Sequence, residues 1–123
     1  KGGLGLGWRY RRSYEFVLVA KLRGRNMPWY DDTDKVSNVM RVPKIIPSAN
    51  EHPTVKPVEL MERFILLHTQ PGELIVDPFM GSGTTLRAAK NLGRRAIGIE
   101  RSQEWCELAI QRLAQLALPL EVG

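Results

Sequence analysis

A single cysteine, two histidines and an aromatic content of only 7% close off several classes of protein before any motif is read. Cys106 has no second cysteine to pair with, so a fold stapled by internal disulfides is excluded and a reducing compartment is expected. With His52 and His68 as the only histidines, no zinc constellation can be assembled, and no metal is expected. Apolar runs are short. Phe16 to Ala20 and Phe64 to Leu67 fall far below the roughly 18 residues that cross a bilayer, and the first residues lack the apolar core of a signal peptide. A soluble, cytoplasmic protein without a membrane partner is the expectation. There is no internal repeat, and although the chain holds eight prolines, no two of them are adjacent.

What remains is ordinary in bulk and uneven in detail. At 123 residues, 43% hydrophobic and 25% charged, the chain has the size and composition of one globular unit. Its formal charge of +5 is concentrated at one end. Residues 1–25 carry Lys1, Arg9, Arg11, Arg12, Lys21, Arg23 and Arg25 against the single acid Glu15, whereas the rest of the chain holds 11 basic and 12 acidic side chains. A basic cluster interleaved with Trp8, Tyr10 and Tyr14 suits phosphate contact and base stacking, which points to nucleic acid; a solvated basic arm is the alternative. Because the first residue is Lys1, the expectation is a piece of a longer protein.

Periodicity divides the chain into three stretches. Residues 1–21 read as a basic arm followed by a strand over Tyr14 to Lys21, where aromatic and β-branched residues predominate. Residues 22–51 read as a long loop, with Pro28, Pro43 and Pro47, acids at Asp31, Asp32 and Asp34, and one short strand near Val39 to Val42. Residues 52–123 alternate in a more regular way. A helix is predicted over 57–69, with Pro57 in its first turn and Leu60, Phe64 and Leu67 on one face. A short strand from Glu73 to Asp77 leads through glycines into a helix over 84–92, stopped by Gly93. A second strand over 96–100 precedes a helix capped by Ser102, whose apolar face holds Trp105, Leu108, Ala109, Leu113 and Leu116. Strand–helix–strand units of this kind require a mostly parallel sheet with flanking helices, and such sheets bind ligands beyond the carboxyl ends of their strands. Those ends carry Asp77 and Glu100.

Three blocks bear chemistry. In Asp77-Pro78-Phe79-Met80-Gly81-Ser82-Gly83-Thr84-Thr85, two glycines join a strand to a helix through a turn that lets a ligand come close to the backbone. The turn has no lysine before Thr84 or Thr85, as a phosphate-binding loop would, and Leu86 stands where a dinucleotide fingerprint needs its third glycine. A ligand with an ammonium group suits Asp77 better, and S-adenosylmethionine carries one. Glu100 ends the next strand near the spacing at which an acid accepts from ribose hydroxyls, although an acid ahead of a helix also favours that helix's N-terminus. His52-Pro53-Thr54-Val55-Lys56-Pro57 holds a lysine beside the positive end of a helix, an arrangement that suits a carboxylate; a rigid linker is the alternative.

HPTVKP followed by DPFMGSGTT and GIE resembles the cofactor half of bacterial and phage DNA methyltransferases that modify adenine at N6 or cytosine at N4. The order of the blocks resembles that of the permuted subgroup, in which the catalytic block comes first. The likeness is tight from His52 to Glu100 and looser over Trp8 to Lys21. It implies an incomplete Rossmann-like α/β fold of the S-adenosylmethionine-dependent methyltransferase kind. It assigns Thr54, Lys56 and Pro57 to the methionine carboxylate, Asp77, Pro78, Phe79, Gly81, Ser82, Gly83 and Thr84 to the cofactor loop, and Glu100 to the ribose. It implies double-stranded DNA as partner, with Arg9, Arg11 and Arg12 as candidate contacts. The family's catalytic signature, a polar residue followed by two prolines and an aromatic, is missing, so no catalytic residue is assigned. Asp77-Pro78-Phe79 imitates it, but the glycines that follow place it with the cofactor. The expectations are a chain without methyl transfer of its own, an exposed sheet edge, and pairing with a second copy or a complementary N-terminal half. A non-catalytic DNA-binding remnant is the competing reading.

Overall fold

The computed structural model describes residues 14–43 and 55–115. Its regular elements come in the order α1 (Val58–His68), β1 (Leu74–Asp77), α2 (Thr84–Asn91), β2 (Arg95–Gly98) and α3 (Gln103–Ala114). Each lies within two residues of the span predicted from periodicity. The two strands pair in parallel, with Leu74 opposite Arg95, Ile75 opposite Ala96, Val76 opposite Ile97 and Asp77 opposite Gly98. α2 is the crossover that such a pair requires.

The ends of the helices follow from their sequences. Pro57, with φ −60° and ψ 135°, is the N-cap of α1, and its fixed φ lets the chain turn into the helix without wasting a donor. Thr69 closes α1, its amide and its hydroxyl both donating to the Ile65 carbonyl. α3 begins at Ser102, whose Oγ accepts from the Trp105 amide at 3.5 Å. That bond is long, so Ser102→Ala is expected to cost about 0.5–1 kcal/mol, the low end for an N-cap. A denaturant melt of the variant checks this, and a loss of several kcal/mol would assign Ser102 a larger role than capping.

α2 is the centre of the packing, touching α1, α3 and both strands. The core holds Ile65 from α1 with Ala88 and Ala89 from α2, against which Val58, Met61, Ile75, Leu92 and Ala96 pack. The small side chains at 88 and 89 let α2 lie close to its neighbours, since both alanines are completely buried. Alternation along the strands turns Ile75 and Ala96 into this core and leaves Leu74, Val76, Ile97 and Ile99 exposed. The helices among the described residues thus cover one face of the sheet, whereas parallel sheets are ordinarily buried on both.

The two strands predicted before α1 are absent. Residues 14–20 form no ladder, and Phe16 and Leu18 are 80% and 93% exposed. Residues 39–42 are likewise irregular. A strand exists only through a partner's hydrogen bonds, and among the described residues β1 and β2 pair with each other alone. What fastens this region is local. The Tyr30 amide donates to the Leu67 carbonyl at 2.9 Å, His68 Nδ1 lies 2.8 Å from the Pro28 carbonyl oxygen, and the Trp29 and His68 rings meet edge-on at 5.4 Å. The expected long loop is therefore pinned to the C-terminal end of α1. No described helix is long and apolar enough to cross a membrane.

Candidate functional site

At the carboxyl end of β1 the chain turns sharply. Asp77 Oδ1 accepts from the Phe79 amide at 3.0 Å, which folds Pro78 and Phe79 back over the strand end. The Met80 amide donates to Ile99 O and the Gly83 amide to Met80 O, at 3.1 and 2.8 Å. Gly83 then caps α2 with φ +81° and ψ 28°, a left-handed conformation that glycine adopts without steric cost. Gly98, beside the turn, is required for another reason. A Cβ there would fall 2.2 Å from Met80 Sδ and 2.8 Å from Leu86 Cδ2, so the missing side chain is the space into which Met80 and Leu86 settle.

This turn and the start of α1 enclose an open cleft of about 230 Å³. Lys56, Asp77, Phe79, Gly81, Ser82 and Thr84 line it together with Val55, Met61, Met80 and Thr85. The structure thus brings together two blocks 21 positions apart, a lysine ahead of α1 and a carboxylate at the end of β1. Lys56 Nζ also forms an ion pair with the Glu15 carboxylate. Both side chains are partly or largely exposed, so solvent screens the pair and its contribution to stability is small. Phe79 stands 88% exposed beside the cleft, an apolar ring held in water by the turn beneath it.

Glu100 follows β2, next to the glycine turn. It is not among the residues that line the cleft. Its Oε2 accepts from the Gly81 amide at 3.1 Å and its Oε1 from the Ser102 amide at 2.9 Å. The carboxylate thus ties the glycine turn to the start of α3. Pro57, Pro78 and Gly83 shape the backbone around the cleft without lining it. Thr54, Arg9, Arg11 and Arg12 lie outside the described residues.

Sequence reasoning passed over four of the lining residues and one brace. Met80 and Thr85 belong to the glycine block itself, so membership in that block was signal enough for both. Val55 precedes Lys56 and Met61 lies in the first turn of α1, and their side chains add apolar surface to the cleft. The brace is Arg112, which reaches from α3 to Ser82 at 3.1 Å (O) and 2.7 Å (Oγ). Its position among the polar residues of an amphipathic helix gave no sign of this.

The small α/β unit with its parallel strand pair matches solved structures of the S-adenosylmethionine-dependent DNA methyltransferase class. Within it, the DNA methylase family (N6_N4_Mtase) matches residues 7–111, and the chain belongs to this N6/N4 DNA methylase family. The type II methyltransferase M2.DpnII of Streptococcus pneumoniae is 51% identical over 106 residues, which make up 84% of this chain and 37% of that protein. The type II methyltransferase M2.LlaDCHI of Lactococcus lactis subsp. cremoris is 49% identical over 65 residues, 53% of this chain and 24% of that one. Among solved structures, the M1.HpyAVI–SAM complex matches with a TM-score of 0.58 and 41% identity over 71% of this chain and 45% of that one. The PvuII DNA methyltransferase (cytosine-N4-specific) matches with a TM-score of 0.51 and 34% identity over 55% of this chain and 24% of that one. The chain therefore spans less than half the length of each of these relatives.

Proposed function

We propose that this chain is the cofactor-binding part of a DNA methyltransferase, one that transfers a methyl group from S-adenosylmethionine to the exocyclic amino group of adenine (N6) or cytosine (N4). The observation that carries the reading is the meeting of Lys56 and Asp77 on one cleft at the end of β1. A cation and a carboxylate on the same cleft suit an amino-acid zwitterion, with Asp77 facing the ammonium and Lys56 the carboxylate. The donor set therefore fits the methionine end of the cofactor, and the apolar side formed by Val55, Met61 and Phe79 fits its nonpolar parts. Thr54, Pro57, Pro78, Gly81, Ser82, Gly83 and Thr84 complete the proposed site through the loop and the block before α1. The ribose role of Glu100 rests on its spacing from the glycine turn and on the resemblance, and its carboxylate also holds backbone amides of the turn.

Double-stranded DNA is the proposed substrate, and the basic cluster with Arg9, Arg11 and Arg12 its proposed contact. Methyl transfer to a base requires the target to be drawn out of the helix and its amino group held in line with the methyl donor. The double-proline aromatic block that serves this purpose in the family has no counterpart in these 123 residues, so the proposed division of labour places it on a complementary segment. The exposed side chains of Leu74, Val76, Ile97 and Ile99 on one face of the described sheet support such a partner.

Calorimetric titration of the 123-residue chain tests the reading. Binding of S-adenosylmethionine without binding of NAD is expected, together with no transfer of label from methyl-labelled cofactor to duplex DNA. Preference for NAD would overturn the cofactor assignment, and turnover by the chain alone would overturn the proposed division of labour. DNA binding without any cofactor binding would favour a DNA-binding remnant instead.

A further inference from the structure

We infer that Arg112 is a positioning residue for the cleft: it holds the glycine turn from behind and makes the Ser82 hydroxyl a donor toward the carboxylate of the bound ligand. This deepens the cofactor reading and rests on it. Ser82 is 4% exposed and lines the cleft. Arg112 Nη1 donates to its carbonyl at 3.1 Å and to its Oγ at 2.7 Å. A guanidinium can only donate, so the hydroxyl is the acceptor in that bond and must direct its own proton elsewhere. Ser82 lines the cleft, and its proton is directed there. Whatever ligand group meets Ser82 there is consequently an acceptor, and a carboxylate is the acceptor that Lys56 also favours.

Arg112 is itself fixed by the helix that leaves the turn. Arg87, from α2, donates through Nη1 to the Arg112 carbonyl at 3.0 Å and to the Gln115 carbonyl at 2.7 Å. These carbonyls lie in the last turn and at the C-cap of α3, where the helix itself supplies no partners. The connections close on themselves: the turn starts α2, α2 holds the end of α3 through Arg87, and α3 holds the turn through Arg112. Beneath the same turn, Glu100 takes the Gly81 amide. Arg112 also brings a positive charge close to the buried hydroxyl, which strengthens its hydrogen bond to an anion.

The experiment compares S-adenosylmethionine with its decarboxylated analogue, which keeps the adenosine, the sulfonium and the amine but lacks the carboxylate. Both are titrated into the unsubstituted chain and into R112K, R112M, S82A and the double variant R112M/S82A, with thermal melts of each. Loss of a charge-assisted hydrogen bond predicts a fall in S-adenosylmethionine affinity of about 10- to 100-fold for R112M. R112K, which keeps a donor and a charge, is expected to recover a large part of that fall. The double variant is expected to lose no more than R112M alone, because the two residues act as one unit. Affinity for the decarboxylated analogue is expected to change by less than about 3-fold throughout, well under the effect of one charge-assisted bond. Equal losses for the two ligands would overturn the inference and leave Arg112 a structural prop. If R112M fails to fold, R112K and S82A carry the same comparison. An unsubstituted chain that binds S-adenosylmethionine while every variant matches it sinks the inference alone. An unsubstituted chain that does not bind the cofactor sinks the cofactor reading, and the inference with it.

Discussion

Replacing Gly83 with valine is expected to unfold the turn and remove ligand binding together. The residue sits at φ +81°, where a β-branched side chain is a genuine outlier and where even a simple L-residue costs about 1–2 kcal/mol. Space adds to the cost. A Cβ at this position lies 3.0 Å from Ala109 Cβ and 3.5 Å from Ala109 Cα, and Ala109 is only 1% exposed on the face of α3 turned toward the turn. α3 cannot retreat without giving up the Arg112 bonds to Ser82 and opening the packing around Ala109. Crowding of this kind typically costs a further 1–3 kcal/mol or so. A total of about 2–5 kcal/mol is a large part of the stability of a small domain. Gly83→Ala, with the same backbone strain and less bulk, should fall between the two. Equilibrium denaturation of the three proteins measures the series, and a valine variant as stable as the original would mean that the turn is not held as described.

The second large effect belongs to Asp77. Its carboxylate accepts from the Phe79 amide and, in the proposed site, faces the ammonium of the ligand; two substitutions separate these duties. Asn keeps an oxygen that can accept from the Phe79 amide, a bond of 3.0 Å in the structure, but carries no charge. Ala removes both. Truncating one member of a hydrogen-bonded charge pair at a binding site costs about 2–5 kcal/mol, so Asp77→Asn should weaken S-adenosylmethionine binding by about 30-fold or more with the melt almost unchanged. Asp77→Ala should lose binding at least as severely and also melt earlier, because the turn loses its first hydrogen bond. Unaltered affinity in the Asn variant would show that the ammonium is bound elsewhere. A melt of Asp77→Asn as low as that of Asp77→Ala would show that charge, rather than the hydrogen bond to Phe79, shapes the turn.

Five elements were legible in the sequence because each is specified locally. α1 is announced by Pro57 and ended before Pro71-Gly72, α2 is bracketed by Gly83 and Gly93, and α3 starts from a Ser102 that makes the capping bond expected of it. β1 and β2 are short apolar runs that the intervening helix forces into parallel register. The same reasoning failed for residues 14–21 and 39–42. Their composition suits a strand equally well, but composition supplies no partner, and Phe16 and Leu18 stand exposed where no described strand pairs with them. In the site, Asp77 and the glycines were legible because they are contiguous and the turn is made by their own backbone. Lys56 was legible through its place ahead of a helix start. For Glu100 the sequence offered both a ligand-facing acid and a support for the following helix start, and in the structure its two oxygens accept from the Gly81 and Ser102 amides. The support role could be seen only once the path of the turn was known.

Taken alone, the order of residues determined which segments coil, where they stop, and that an acid and two glycines must stand together between a strand and a helix. Those are consequences of interactions among near neighbours in the chain, where the geometry hardly varies. Folding in three dimensions decided the rest: that Lys56 shares a cleft with Asp77, that Arg112 reaches Ser82 across 30 positions, and that, among the described residues, the helices pack on one face of the sheet. These depend on how α1 and α3 pack against α2, a matter of side-chain volume and shape at contacts between distant segments. No local pattern encodes that packing.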